Sequence, residues 1–179
     1  MKTRLVILLI ITTMTCKGQT FSDIIRDIRT EYKLTNSNRL LIKDSIELSR
    51  QSTEAGQLIT LKDTSRNTRK LIATYYGESG KLINEYYLKN NKLIFYLTRQ
   101  FVYNRPICWD LNKAKENNDS EVFDICKSKI IENRYYFDSN EKLILFINKD
   151  KKNIRAKVKL KKVETEILTE YKTLKNKRK

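Results

Sequence analysis

Three segments of this chain repeat the same order of residues: a tyrosine pair, a short polar turn, and then Lys-Leu-Ile. The copies are Tyr75-Tyr76 with Lys81-Leu82-Ile83, Tyr86-Tyr87 with Lys92-Leu93-Ile94, and Tyr135-Tyr136 with Lys142-Leu143-Ile144. A short turn can join antiparallel strands, but it is too short for the crossover that parallel strands need. The repeat therefore predicts hairpins. Either sheet propensity with recurring turn chemistry or a repeated binding surface would account for it, and we favour the first.

The surrounding sequence extends this pattern into a whole sheet. From Gln57 onward the side chains alternate with a period of two, as the two faces of a strand require. Strands are predicted at 57–63, 70–76, 81–88, 92–103, 130–137 and 142–148, and the apolar residues within 40–46 are consistent with an earlier one. The chain is therefore predicted to build a meandering antiparallel sheet of about six or seven strands.

Amphipathic segments precede and follow these strands. In residues 21–34 the apolar side chains recur at helical spacing, and Thr20 or Ser22 can cap the start of the predicted helix. Near the other end, one helical face would hold Ala156, Leu160, Val163, Ile167, Tyr171 and Leu174. Residues 154–161 also alternate as a strand would, but the helical pattern is longer, so we predict a helix there.

The expected fold class is α+β, with an N-terminal helix, the meandering sheet and a C-terminal basic amphipathic helix. Residues 20–175 are predicted to form one domain, because their number is typical of a single domain, and 176–179 are predicted to be a basic tail.

The first residues have the order of an export signal. Lys2 and Arg4 precede an unbroken apolar run at 5–11 that is too short to span a bilayer. Residues 1–19 are assigned as the signal-peptide segment, and cleavage before Gln19 would remove residues 1–18 of it. If Cys16 is lipidated instead, the signal is 1–15 and Cys16 becomes the mature N-terminus. Both routes predict an exported protein, which is periplasmic, anchored to the outer membrane or secreted.

Cys108 and Cys126 then remain as a pair in a polar excursion between two predicted strands. Export places them in an oxidising compartment, so a disulfide is the favoured interpretation, and two buried thiols and redox chemistry are the alternatives. The two thiols are too few for a metal site, and the chain has no His to complete one.

Composition removes several classes of function. The absence of His excludes His-based triads and His general bases, and four Gly with one Pro argue against a phosphate-binding loop. The net charge is +16, and residues 151–179 hold 12 Lys or Arg against three Glu. Such a cluster either attracts an anionic surface or simply keeps a helix soluble. Export argues against a nucleic-acid partner, so none is expected. No cofactor is expected either.

Candidate functional side chains are few. Glu85 and Glu132 stand beside aromatic strand segments, but one carboxylate alone does not provide general acid–base chemistry, so no catalytic residue is predicted. Tyrosine combines rigid contact area with a polar tip, which suits a binding surface. The residues assigned to such a face are Tyr75, Tyr86, Tyr135, Lys157 and Lys161.

Two classes of function fit these features. The first is a non-catalytic envelope module that binds an acidic or glycan-like partner. The second is an immunity-like or inhibitor-like protein that binds a toxin or a hydrolase. An exported hydrolase is a more distant third.

Several motifs resemble an uncharacterised family of exported proteins that is common in Bacteroidetes. The motifs are Ala73-Thr74-Tyr75-Tyr76-Gly77-Glu78, Tyr103-Asn104-Arg105-Pro106 and Asn133-Arg134-Tyr135-Tyr136-Phe137-Asp138. The resemblance implies an N-terminal helix, a meandering antiparallel sheet and a terminal helix, and it implies no activity. The tyrosine–turn–Lys-Leu-Ile units are also similar to the MORN-like repeats of some antitoxin proteins.

Overall fold

An antiparallel sheet of eight strands forms the centre of the protein in a computed structural model. The structure describes residues 19–48, 54–154 and 157–177, with side chains for all of these except 157–159. Residues 1–18 of the predicted leader, Cys16 included, and the last two residues of the predicted basic tail lie outside the described residues.

The strands follow one another across the sheet in sequence order, so each pairs with its neighbour in the chain. They are β1 (Ile42–Glu47), β2 (Gly56–Lys62), β3 (Thr68–Gly77), β4 (Gly80–Lys89), β5 (Lys92–Val102), β6 (Lys129–Phe137), β7 (Leu143–Ile147) and β8 (Asn153–Ile154). The predicted meander is confirmed. The count exceeds the expected six or seven because β8 has only two residues, too few to show an alternation.

The N-terminal helix, α1 (Phe21–Ser37), lies on one face of the sheet. Thr20 caps it through a capping box, in which the Thr20 hydroxyl accepts a hydrogen bond from the Asp23 backbone N–H and the Asp23 carboxylate accepts one from the Thr20 N–H. The helix runs across the sheet, because Ile25 packs near Leu145 of β7 while Asn36 bonds to β3.

The C-terminal helix, α3 (Lys157–Asn176), covers the other face. Four residues of its predicted apolar stripe are buried against the sheet: Leu160, Ile167, Tyr171 and Leu174. The ambiguous segment at 154–161 divides, since Ile154 ends β8 and the helix begins at Lys157. The described residues thus form a sheet covered by one helix on each face.

Adjacent tyrosines contribute to both helix–sheet interfaces, the one with α1 and the one with α3. In β4, Tyr86 points to the α3 side, where its ring centroid lies 6.0 Å from that of Tyr171, and Tyr87 points to the α1 side, where it lies 5.0 Å from Tyr32. Adjacent strand residues face opposite sides of a sheet, so a tyrosine pair serves both cores. This arrangement agrees with the interpretation of the repeat as sheet architecture.

The polar excursion between β5 and β6 contains a short helix, α2 (Leu111–Glu116), and a 3-10 turn at Ile125–Lys127. Arg105 closes its base, donating from Nε to Asp119 at 2.5 Å and from Nη2 at 3.0 Å. Hydrogen bonding to Arg105 holds the pKa of the Asp119 carboxyl down at about 2.

The predicted disulfide is wrong, because Cys108 and Cys126 are both free and exposed. The Cys108 Sγ lies instead 3.2 Å from the Lys113 Nζ and 3.5 Å from a Glu78 carboxylate oxygen. The two exposed thiols also exclude the alternative of a buried pair. The ion pair of Arg105 with Asp119, not a covalent bridge, joins the start of the excursion to its interior.

No helix within the described residues combines the length and the apolar character needed to cross a bilayer.

The buried tyrosine of α3 provides a test of this packing. Tyr171 is 2% exposed, and its hydroxyl has no hydrogen-bond partner among the described residues. Tyr171→Ala should lower the free energy of unfolding by about 3–5 kcal/mol, because it leaves a cavity beneath α3. Tyr171→Phe should leave stability within about 1 kcal/mol of the parent or raise it, because it removes only an unpaired hydroxyl.

Urea denaturation followed by circular dichroism measures both variants. An equal loss in Tyr171→Phe and Tyr171→Ala would contradict the burial of an unpaired hydroxyl beneath α3.

Candidate functional site

A cleft lies between the C-terminal half of α1 and the sheet. It consists of two adjoining cavities with volumes of about 230 Å³ and about 520 Å³, and Tyr32 and Lys33 line both of them. The smaller cavity lies over β5 and β6, and the larger one lies over β3, β4 and β5. We call the two together the α1 cleft.

The buried carboxylate of Glu85 is the centre of the larger cavity. Its Oε2 accepts hydrogen bonds from the Lys70 Nζ at 2.9 Å and from the Tyr87 hydroxyl at 2.5 Å, and its Oε1 accepts one from the Arg99 Nη2 at 2.7 Å. Asn36 of α1 joins this group, because its Oδ1 accepts from the Lys70 Nζ at 2.9 Å. The cluster therefore connects three strands and a helix.

Strand register explains why these residues meet. Glu85 of β4 stands opposite Ile72 of β3 and Leu97 of β5. Lys70 and Arg99 are each two residues away from those positions, so they share the face of Glu85 and are its diagonal neighbours. Three residues on three different strands thus converge on one point of the α1 side.

The contacts keep the Glu85 carboxyl ionised. Burial alone would raise its pKa, because a buried charge loses its hydration. The charges of Lys70 and Arg99, with hydrogen bonds from Tyr87 and Lys70, outweigh burial, so the pKa of Glu85 lies below its ordinary value. Burial also lowers the pKa of Lys70, and the charge of Glu85 opposes that effect.

Tyr87 remains a hydrogen-bond donor throughout the physiological range. Burial raises the pKa of its hydroxyl, and the neighbouring charge of Glu85 raises it further. The neutral hydroxyl therefore continues to donate to Glu85, and the Asn36 Oδ1 lies 3.2 Å from it.

A row of alternating charges continues from Glu85 across the sheet towards the smaller cavity. The Arg99 Nε lies 3.8 Å from a carboxylate oxygen of Glu132 on β6, and Glu132 in turn binds the Arg134 Nη2 at 2.6 Å. The Arg99 Nε itself is buried and has no hydrogen-bond partner among the described residues. The Arg99 guanidinium is therefore held between the carboxylates of Glu85 and Glu132.

Two further cations stand above this row on α1. Arg29 and Lys33 are exposed, line the cleft, and are one helical turn apart. Neither forms an ion pair with a residue in the part of the chain that the structure describes. The cleft therefore contains five cationic side chains and two carboxylates, Glu85 and Glu132.

The floor of the smaller cavity is apolar and largely aromatic. Phe95 packs edge-on against Tyr32 with ring centroids 5.5 Å apart and against Tyr136 with centroids 4.8 Å apart. Phe95 and Tyr136 are buried, while Tyr32 is only half-buried. A charge held above this floor is partly shielded from water, which strengthens its ionic interactions.

The two carboxylates singled out from the sequence are brought together. Glu85 and Glu132 lie on opposite sides of Arg99, and both contact its guanidinium group. Each is thus part of an ion pair, and the arrangement resembles a structural charge network more than an acid–base pair.

The structure contradicts the predicted tyrosine face at Tyr86, which is fully buried. Tyr86 is 0% exposed, stacks on Tyr96 with centroids 4.7 Å apart and lies beneath α3. Tyr75 and Tyr135 are half-buried and pack against the same core. The sequence does not show which side of each tyrosine pair a helix covers, and α3 covers this one.

Of the predicted basic residues, Lys161 is exposed on α3. Lys157 begins that helix, but its side chain lies outside the described residues.

Sequence reasoning missed the cations of the α1 cleft, namely Arg29, Lys33, Lys70, Arg99 and Arg134. A signal was present in the strands, because Lys70 and Arg99 occupy positions whose alternation places them on the same side as buried aromatic residues. A charged residue at an inward-facing strand position needs an oppositely charged or polar partner, so the pattern predicts a buried ion pair.

The described residues contain no group of three or more His, Cys, Asp or Glu side chains that could hold a metal ion. Comparisons with protein-family models, with curated proteins and with solved structures find no match to this chain.

Replacing the central carboxylate tests the charge cluster. Glu85→Gln removes the charge that faces Lys70 and Arg99, so the free energy of unfolding at pH 7 should fall by about 3–5 kcal/mol. Glu132→Gln is the matched control, because its carboxylate is more exposed, and it should cost less than about 1 kcal/mol.

The pH dependence has a definite sign. The pKa of Glu85 is lower in the folded protein than in the unfolded chain. Its contribution to the free energy of unfolding is therefore complete at a pH above the pKa in the unfolded chain, and it is lost as the pH falls through the pKa in the folded protein. The stability difference between the parent protein and Glu85→Gln should therefore shrink below about pH 4. Urea titrations from pH 7 to pH 3 measure this difference, and a constant difference would contradict the assignment.

Proposed function

We propose that the protein is an exported, non-catalytic binding module. Its α1 cleft binds the carboxylate groups of an acidic partner. The chemistry is shared by acidic glycans of the cell envelope and by acidic polypeptide segments. The leader-like sequence supports export, and the charge of the cleft supports the acidic partner.

The observation that carries the proposal is the set of unused cationic groups in the α1 cleft. Arg29 and Lys33 are exposed, line the cleft and have no ion-pair partner among the described residues. A bound carboxylate would supply these two cations with an opposite charge. Arginine is well suited to this contact, because its planar group matches a carboxylate.

The polar cluster beneath these cations supports a role in positioning. Lys70 and Arg99 are fixed by Glu85, and Arg134 is fixed by Glu132. Side chains that are already held lose little conformational freedom when a ligand binds, so more of the interaction energy appears as affinity.

The state of Glu85 supports the non-catalytic part of the proposal. A general acid at neutral pH needs a raised pKa, whereas the pKa of Glu85 is lowered. Its carboxylate oxygens are also occupied by Lys70, Tyr87 and Arg99.

Charge reversal of Arg29 and Lys33, at the exposed edge of the α1 cleft, tests the binding site. Oligogalacturonate and oligoglutamate should both bind the protein, each more weakly as NaCl rises, while neutral dextran should not. Arg29→Glu/Lys33→Glu should weaken binding at least about tenfold, because two attractive charges become repulsive. Isothermal titration calorimetry gives the dissociation constants.

The matched control is Lys161→Glu/Lys162→Glu, which makes the same change in net charge on exposed positions of α3. Its dissociation constants should stay within about twofold of those of the parent. Equal losses in the two double variants would mean that net charge alone, not the α1 cleft, attracts the probes. Binding of only one probe would identify the source of the carboxylates.

The export proposal has its own measurement. The intact mass of the protein recovered from its native host should correspond either to cleavage before Gln19 or to an acylated chain that begins at Cys16. A mass that retains residues 1–15 would contradict both routes.

A further inference from the structure

The sheet ends at β1 with an open edge. All six residues of β1 are exposed, and β1 pairs with β2 on one side and with no described strand on the other. The opposite edge strand, β8, has only two residues. An exposed edge of this length presents unpaired backbone groups that can accept another strand.

The alternation of backbone hydrogen bonds along β1 shows which of its N–H and C=O groups could pair with another strand. The Leu48 N–H donates to the Gly56 carbonyl at 2.8 Å, so the backbone groups of Leu48 face β2. Antiparallel pairing alternates along a strand, and the same register continues through β1. The backbone N–H and C=O groups of Lys43, Ser45 and Glu47 therefore point away from the sheet.

These three residues are complementary to a second copy of themselves. When two β1 strands are placed antiparallel with Ser45 opposite Ser45, every outward-facing residue meets an outward-facing residue. The same register places Lys43 opposite Glu47 of the second copy, and Glu47 opposite Lys43 of the second copy. Opposite charges directly across two strands stabilise the pair, so charge and backbone parity select one alignment.

The apolar residues of β1 agree with this alignment. Ile42 and Ile46 are 48% and 39% exposed and lie on the α3 side of the strand. In the aligned pair, Ile46 becomes a diagonal neighbour of Ile42 and Ile46 of the second copy, and these side chains lose exposed area.

We propose that two copies of this chain pair through β1, antiparallel about Ser45, to join their sheets edge to edge. The two-fold axis is perpendicular to the sheet, because Lys43 and Glu47 lie on the same face. Both α1 clefts therefore open on the same side of the dimer. This inference does not depend on what the cleft binds.

Charge reversal and its compensation test the pairing. Sedimentation equilibrium of the full chain should show a monomer–dimer equilibrium. Lys43→Glu and Glu47→Lys should each raise the dimer dissociation constant at least about tenfold, because each creates two like-charged pairs. The double exchange Lys43→Glu/Glu47→Lys restores opposite charges and should return the constant to within about threefold of the parent.

Glu116→Lys on α2 is the matched control, since it makes the same charge change at an exposed position away from β1. It should leave the dimer unchanged. Ser45→Pro removes an outward-facing N–H and should also weaken the dimer, while Ser45→Ala keeps that donor and should not.

Circular dichroism verifies that each variant folds. If Ser45→Pro does not fold, the Lys43 and Glu47 single and double variants still test the pairing through β1. A protein that stays monomeric at the highest concentration measured would overturn the proposal. A dimer that is indifferent to the Lys43 and Glu47 variants would overturn it too, because another surface would then hold the copies together.

Discussion

Burial of both faces of the sheet, each under one helix, is the constraint on which the rest of the structure depends. Tyr86 and its neighbours need α3, while Tyr87, Phe95 and Tyr136 need α1. Hydrophobic burial supplies most of the favourable energy, but it is non-directional and does not fix where a helix lies. Polar contacts do that. Asn36 fixes α1 through Lys70, and the Glu170 Oε1 fixes α3 by accepting from the Tyr75 hydroxyl and the Asn84 Nδ2, each at 3.1 Å.

The α1 cleft follows from the same constraint. A helix covers only a stripe of the sheet, and charged residues occupy the face where the aromatic packing beneath α1 ends. Lys70, Glu85 and Arg99 are tolerated there because each has a charged partner within hydrogen-bond distance. Arg29 and Lys33 have none among the described residues, so the cleft has an interior held by ion pairs and an entrance lined by exposed cations.

Much of the fold was predictable from local sequence, because alternation, turn residues and helix caps act over a few residues. The meander, the Thr20 cap and the α3 stripe are of this kind. The candidate site was not, since Glu85 meets Lys70 and Arg99 only through the register of three strands. The disulfide prediction failed for a related reason: spacing between Cys108 and Cys126 does not reveal the path of the chain, which Arg105 and Asp119 set instead.

The neighbour-to-neighbour order of the strands has a consequence for biogenesis. Each strand pairs with its neighbour in the chain, mostly across a short turn, and contacts of short sequence separation favour rapid folding. As a nascent chain lengthens, α1 and the successive strands can assemble before α3 has been synthesised. Until α3 emerges, the side around Tyr86 and Leu88 stays uncovered. A chain that ends before α3 would expose this apolar surface, and exposed apolar surface favours aggregation.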